Sequence, residues 1–170
     1  MKYVVVLSVC LFAASVIAQD AKLPTHEGSE ELQKIKGLVG TWVGEMDHGQ
    51  GPQKVQIVYR VTAAGSAVVE TFNPGTPMEM VTVYHDQKGK LAMTHYCMLG
   101  NQPRMKLTDS ADNRISLDLA NKKAFGQDEM HMHSLIIDFV DTDKIRQTWA
   151  LYAGDKEVSA KPMDLTRKPE

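Results

Sequence analysis

Short runs of alternating apolar and polar residues fill the chain after about residue 39, and turn residues separate them. A period of two is typical of β-strands with one buried face. Consecutive strands with hairpin-length connections predict an all-β antiparallel meander of about ten strands, closed as a barrel or folded as a sandwich. The runs lie near 39–47, 54–62, 66–72, 78–85, 90–99, 102–108, 113–119, 131–140, 144–152 and 157–167.

One short helix is predicted ahead of the first strand. Ser29 is a suitable N-cap residue, and two acidic residues follow it in the first turn. Leu32, Ile35 and Leu38 then recur at helical spacing, and Gly37 lies near the stop.

The N-terminus has the three-part pattern of a secretory signal peptide. Lys2 precedes an apolar run that ends in small residues at Ala18, and the chain turns polar at Gln19. We therefore expect a secreted or periplasmic protein. The predicted organisation is a signal peptide at 1–18, a flexible lead-in at 19–29 and one barrel domain at 30–170.

Composition narrows the possible functions. The 170 residues suit one domain, and 43% hydrophobic and 24% charged residues suit a packed core. A net charge of −2 argues against nucleic acid as a partner. No apolar run after the N-terminus is long enough to predict a membrane span. Cleavage would remove Cys10, and the remaining Cys97 could form no internal disulfide.

Two hairpins have a register that the sequence predicts. A turn at 63–65 would pair Tyr59 with Val69 on one face and leave Arg60 and Glu70 on the other. A loop at 141–143 would pair Phe139 with Ile145, Leu135 with Trp149, His133 with Leu151 and, on the opposite face, Asp138 with Arg146.

The hairpins around Cys97 predict a methionine-rich inner face. A turn at 87–89 would place Met80 opposite Thr94, and a two-residue turn at Gly100-Asn101 would place Tyr96 opposite Met105. Met78, Met80, Ala92, Thr94, Tyr96, Met98, Met105 and Leu107 would point inward. Glu79, Val81, His95, Cys97, Arg104 and Lys106 would point outward or line a polar mouth. A slip of one residue would exchange the two faces.

Two histidines are the main candidates for binding chemistry. His131 and His133 alternate with Leu135, Ile137 and Phe139, so both are expected to point inward. They could be pocket residues hydrogen-bonded to water, tyrosine or backbone. With a third ligand from elsewhere they could instead bind a metal, and a catalytic histidine is a further alternative.

His95 and Cys97 form a second candidate pair. A thiolate beside cationic groups such as Arg104 would be reactive. The alternative is an ordinary strand cysteine with a surface histidine. No phosphate-binding glycine loop, Gly-x-Ser-x-Gly, His-Glu-x-x-His or Cys-x-x-Cys motif occurs. The sequence therefore favours a binding protein over an enzyme.

The segment Leu38 to Gly44 resembles the Gly-x-Trp start of lipocalins and related calycin barrels. Residues 30–168 are similar to small secreted bacterial lipocalin-like domains of unknown function. The resemblance implies that Trp42, after Gly40, plugs the barrel base under Arg167. The Gly-x-Trp-x-Gly core is also similar to nitrobindin-like haem barrels. Those barrels ligate haem through a histidine near the C-terminus, and no histidine follows His133 here.

We therefore expect a non-enzymatic barrel that binds a small apolar or amphipathic molecule, with the 120–130 segment as a flap over its mouth. The alternatives are a metal or haem barrel that uses His131 and His133, and an enzyme that uses His95 and Cys97. No particular cofactor is implied. The candidate ligand-binding residues are Met78, Met80, Tyr96, Arg104, Met105, His131, His133 and Trp149.

Overall fold

The computed structural model describes residues 25–47 and 51–169, so the predicted signal peptide and the start of the lead-in lie outside the described residues. One short helix precedes a series of β-strands. The elements are α1 (Glu30–Lys36), β1 (Gly40–Asp47), β2 (Pro52–Thr62), β3 (Ala67–Phe72), β4 (Met80–Gln87), β5 (Lys90–Tyr96), β6 (Arg104–Ala111), β7 (Arg114–Leu119), β8 (Met130–Asp141), β9 (Lys144–Ala153) and β10 (Lys156–Arg167).

The ten strands close into an antiparallel barrel. Each strand pairs with its neighbours in the chain, and β1 pairs with β10 to complete the ring. The predicted all-β meander with one short N-terminal helix is confirmed, and it closes as a barrel rather than folding as a sandwich. No helix in the described part of the chain is long and apolar enough to cross a membrane.

Helix α1 closes one end of the barrel. The Ser29 hydroxyl accepts a hydrogen bond from the Leu32 amide at 3.1 Å, and it donates to Asp86 of β4 at 2.7 Å. Leu32 and Ile35 are completely buried against the barrel strands. The capped first turn and the apolar stripe together hold the helix in place.

Trp42 lies beneath the helix at the same end. Its indole nitrogen donates to the Leu38 carbonyl at 2.7 Å, and the Arg167 guanidinium lies 4.3 Å from the ring centroid. This contact, predicted from the resemblance, is confirmed, and Trp42 and Arg167 are direct partners across β1 and β10. Gly40 has a φ of +124°, and a Cβ there would lie 3.2 Å from the guanidinium, so both conformation and space favour glycine.

The β8–β9 hairpin mostly has the predicted register. Phe139 opposes Ile145 and Leu135 opposes Trp149, as expected. A β-bulge between Met132 and Ser134 shifts the pairing beyond them, and Leu151 opposes Met132. The predicted pairing of His133 with Leu151 is therefore wrong.

The outer face of this hairpin carries an alternating row of charges. Asp138 opposes Arg146, as predicted. Their hydrogen-bonded ion pairs, however, are with the strands on either side: Asp138 pairs with Arg114 of β7 at 2.5 Å, and Arg146 pairs with Asp164 of β10 at 2.6 Å. The row crosses β7 to β10 on the solvent side, where such pairs contribute little to stability but favour one register.

The β2–β3 hairpin differs from the prediction by one residue. Thr62 pairs with Ala67, so the connection is residues 63–66, and Tyr59 opposes Glu70. The predicted pairing of Tyr59 with Val69 is wrong. Because one residue of slip reverses the face, Glu70 points into the barrel instead of outward with Arg60, and it is buried.

The β4–β5 hairpin also differs in register. Gln87 pairs with Lys90 across a two-residue turn, so Thr82 opposes His95, whereas the prediction placed Met80 opposite Thr94. The faces of β5 are therefore exchanged. His95 is buried inside, and Tyr96, predicted to point inward, is 50% exposed.

The β5–β6 connection is longer than predicted. β5 ends at Tyr96 and β6 begins at Arg104, and Met93 opposes Met105. The predicted pairing of Tyr96 with Met105 across a two-residue turn is wrong. Met105 is nevertheless buried in the core and Arg104 is exposed, as expected for each.

Candidate functional site

A row of polar side chains crosses the barrel interior. Tyr59, Glu70, Thr82 and His95 are successive direct partners on β2, β3, β4 and β5, and all four are buried. Buried polar groups need hydrogen-bond partners. On β3 the row lies between the buried side chains of Val68 and Phe72.

Glu70 is the centre of a hydrogen-bond network. Its carboxylate accepts from the Tyr84 hydroxyl at 2.7 Å and from the Gln147 amide at 3.1 Å. The same amide nitrogen donates to the Tyr59 hydroxyl at 2.5 Å, and the Trp149 indole nitrogen donates to the Gln147 side-chain oxygen at 3.2 Å. Burial raises the pKa of Glu70, although these hydrogen bonds oppose that effect. Burial also raises the pKa of both tyrosines, which keeps their hydroxyls protonated.

An apolar cavity of about 170 Å³ lies beside this network. Met98 and Leu99, which are about half exposed, form its rim and connect it to solvent. Its walls contain six methionines together with Glu70 and His95. The lining residues are Met46, Glu70, Phe72, Met78, Met80, His95, Cys97, Met98, Leu99, Met132, Trp149, Leu151 and Met163.

A larger depression of about 600 Å³ lies outside the barrel, bordered by residues such as Val43, Gln56 and Thr166. Its lining includes outward-facing positions of β1, β2 and β10 together with part of the connection that follows β3. None of the buried polar groups borders it, so the interior cavity is the better candidate for a ligand site.

His95 has one satisfied and one unsatisfied ring nitrogen. Its Nδ1 lies 2.9 Å from the Thr82 hydroxyl, whereas its buried Nε2 has no hydrogen-bond partner in the described part of the chain. The imidazole is only 4% exposed and lies 4.7 Å from the Trp149 ring, centroid to centroid. Burial lowers the pKa of His95 to about 4, so the ring is neutral at neutral pH.

His95 and Cys97 both line the cavity, which the sequence left open. Burial lowers the pKa of His95 and raises the pKa of the Cys97 thiol. Both shifts favour neutral groups and disfavour the thiolate–imidazolium pair that a cysteine nucleophile uses. The pair therefore supports binding chemistry better than nucleophilic catalysis.

Acid titration gives a direct test of the buried His95. Its pKa is about 4 in the folded protein and near 6.5 in an unfolded chain. The unfolded state therefore binds the proton more tightly, and stability falls as pH drops from 6.5 towards 4. We expect the loss from this group to reach about 3 kcal/mol.

The measurement is the free energy of unfolding against pH for the wild type and His95→Leu. Because the other groups titrate in both proteins, the difference between the two curves isolates His95. A difference that does not change between pH 7 and 4 would contradict the burial of this imidazole.

His131 and His133 point away from the cavity, contrary to the prediction. Met132 lines the cavity, and the bulge that follows it turns His133 to the outer face beside His131. There His133 stacks on Tyr152 at 4.0 Å between centroids, and its Nε2 lies 3.3 Å from Asp118. The alternation therefore predicts the inward face correctly after the bulge, at Leu135, Ile137 and Phe139, but not before it, at His131 and His133.

The outer histidines are hydrogen-bonded to one another. His131 Nε2 lies 3.1 Å from His133 Nδ1, and Phe125 stacks on His131 at 4.1 Å. Burial lowers the pKa of His133, and the charge of Asp118 opposes this effect. In the described residues no three His, Cys, Asp or Glu side chains are placed to hold a metal ion.

The 120–129 connection covers this outer cluster. Phe125 packs on His131, and the Glu129 carbonyl accepts from the Gly154 amide at 3.1 Å. None of its residues lines the cavity. The predicted flap over the barrel mouth is therefore wrong, and the segment packs against the outer face of the barrel.

The structure separates the candidate residues into three groups. Met78, Met80 and Trp149 line the cavity, and Met105 lies in the core. The other four candidates lie on the outer face: Tyr96, Arg104, His131 and His133.

Glu70 and Met132 line the cavity but were not among the predicted site residues, and His95 was predicted on the wrong face of its strand. The lengths of two connections decide these faces. The four-residue connection at 63–66 sets the face of Glu70, and the two-residue β4–β5 turn sets the face of His95. Either length is compatible with the turn residues present, so the sequence pattern does not choose between them.

Comparisons with known proteins support the fold. No family model and no curated protein matches the chain. The crystal structure of Rv2717c from M. tuberculosis has a TM-score of 0.57 and 14% sequence identity, and the match covers 84% of this chain and 99% of that one. A similarity at this level of identity shows a shared barrel architecture.

Proposed function

We propose that this chain is an exported, non-enzymatic protein that binds a small apolar or amphipathic ligand inside a lipocalin-like barrel. The observation that carries the proposal is the interior cavity, which the network around Glu70 bounds on one side and Met98 and Leu99 border at the surface. A concave apolar site with a few convergent polar groups is the usual form of a small-molecule site.

The cavity limits the size and charge of the ligand. An apolar cavity of about 150 Å³ is known to bind benzene, so 170 Å³ suits a molecule of about one aromatic ring. Flexible methionines allow some adjustment of shape. Among the described residues no lysine or arginine lines the cavity, so an anion would be desolvated without a compensating charge. Burial raises the pKa of Glu70, which disfavours the charged carboxylate that a cation would need, so the favoured ligand is neutral.

Filling the cavity tests the proposal. Leu151 lines the wall, and Leu151→Trp would put a larger indole there in place of the leucine side chain. We expect toluene binding, measured by calorimetry on the intact chain, to weaken at least about tenfold in this variant. Val140→Trp, which adds a similar volume on the exposed outer surface, is the matched control and should bind as the wild type does. Equal binding by both variants would place toluene elsewhere, and no binding by the wild type would contradict the proposed ligand class.

Export rests on the N-terminal pattern. The apolar run ends at Ala18, so we expect the mature chain to begin at Gln19 or within about two residues of it. N-terminal sequencing of the exported protein is the measurement, and a retained Met1 would contradict this part of the proposal.

A further inference from the structure

The unsatisfied Nε2 belongs to His95, one of the few polar residues in the mostly apolar wall of the cavity. Leaving a buried donor or acceptor without a partner is unfavourable, because the group has lost its hydrogen bonds to water. The atom is buried and unpaired in the described part of the chain, and its residue borders the cavity. A ligand that pairs with it would recover this cost on binding.

The Thr82 hydroxyl determines which kind of partner Nε2 needs. Its one hydrogen-bond partner among the described residues is His95 Nδ1. If Nδ1 carried the proton and donated to Thr82, the Thr82 hydroxyl proton and the Nε2 lone pair would both be unsatisfied. If Thr82 donates to Nδ1, the imidazole proton is on Nε2 and a single N–H is left unpaired. The second arrangement leaves fewer buried groups unsatisfied, so Nε2 is a donor.

We propose that the cavity recognises neutral carbonyl compounds of about one ring in size, whose oxygen accepts a hydrogen bond from His95 Nε2–H. This inference rests on the proposed function and adds a requirement on the ligand. The apolar walls hold the hydrocarbon part, and the described lining residues include no lysine or arginine, which disfavours carboxylates. A ligand offering only a donor, or only hydrocarbon, would leave Nε2–H unpaired.

Two probes of the same shape isolate the hydrogen bond. Acetophenone carries a carbonyl oxygen where 2-phenylpropene carries a methylene group. We expect the intact chain to bind acetophenone about tenfold more tightly by calorimetry. The preference should disappear in His95→Leu, which lacks the donor. It should shrink in Thr82→Val, which keeps the shape of residue 82 and removes the hydroxyl that holds the tautomer.

The possible results separate this inference from the proposed function. Equal binding of the two probes to the wild type would overturn the carbonyl preference and leave the apolar site standing. Binding of neither probe would overturn both proposals. A preference that persists in His95→Leu would overturn the role of His95.

The tautomer can also be measured without a variant. Nitrogen-15 NMR of the wild-type histidines should show His95 protonated at Nε2 and unprotonated at Nδ1 at neutral pH. Protonation at Nδ1 would overturn the inference even if both variants failed to fold.

Discussion

Replacing Trp42 with alanine is expected to lower the free energy of unfolding by about 3–5 kcal/mol. The indole is completely buried between α1 and the barrel base. Its removal leaves a cavity at the closed end and also removes the hydrogen bond to the Leu38 carbonyl. Denaturant unfolding measures the loss. Val43→Ala, at an outward-facing position of the same strand, is the control and should change stability by less than about 0.5 kcal/mol.

Replacing Arg167 should remove part of the same stabilisation that replacing Trp42 removes. Its guanidinium lies over the indole and also donates to the Gly37 and Val39 carbonyls at 2.9 and 2.6 Å. Arg167→Ala is expected to cost about 2 kcal/mol. The loss should be smaller in the Trp42→Ala background, because the cation–π contact is then already absent. Strictly additive losses would mean that the contact contributes nothing to stability.

Replacing Glu70 with leucine should be the second large perturbation, with an expected loss of about 2–6 kcal/mol. The carboxylate accepts from Tyr84 and Gln147, and both donors are buried. Leucine would leave both without their acceptor. Glu70→Gln keeps an acceptor oxygen and should cost less. Tyr84→Phe should lower the free energy of unfolding less in the Glu70→Leu background than in the wild type, because it then removes a hydroxyl that has no acceptor.

The pH dependence of Glu70 has the opposite sign to that of His95. Burial raises the pKa of Glu70 above its ordinary value near 4.5. The folded protein therefore binds this proton more tightly than the unfolded chain does. Its contribution to stability is present at low pH and is lost as pH rises through the raised pKa. The stability of the wild type relative to Glu70→Gln should therefore fall as pH rises above about 4.5. A constant difference would contradict the burial of this carboxyl.

Local patterns were sufficient for the architecture and for one end of the barrel. Alternation predicted the strands because side chains of a strand alternate between two faces. The helix was predicted from Ser29 and the spacing of Leu32 and Ile35, and the structure confirms each role. The contact of Arg167 with Trp42 followed from a resemblance carried by a few residues around Gly40, and the register across β1 and β10 confirms it.

Only the tertiary structure decided which side chains meet inside the barrel. In a strand, a slip of one residue or one bulge exchanges the two faces. The connection lengths turned Glu70 and His95 inward, and the bulge beside Met132 turned His133 outward. Each choice depends on pairing with neighbouring strands around the closed ring, which is a non-local property. The sequence by itself therefore determined that an antiparallel meander of about ten strands with an apolar interior forms, whereas strand pairing decided its closure and which polar groups that interior contains.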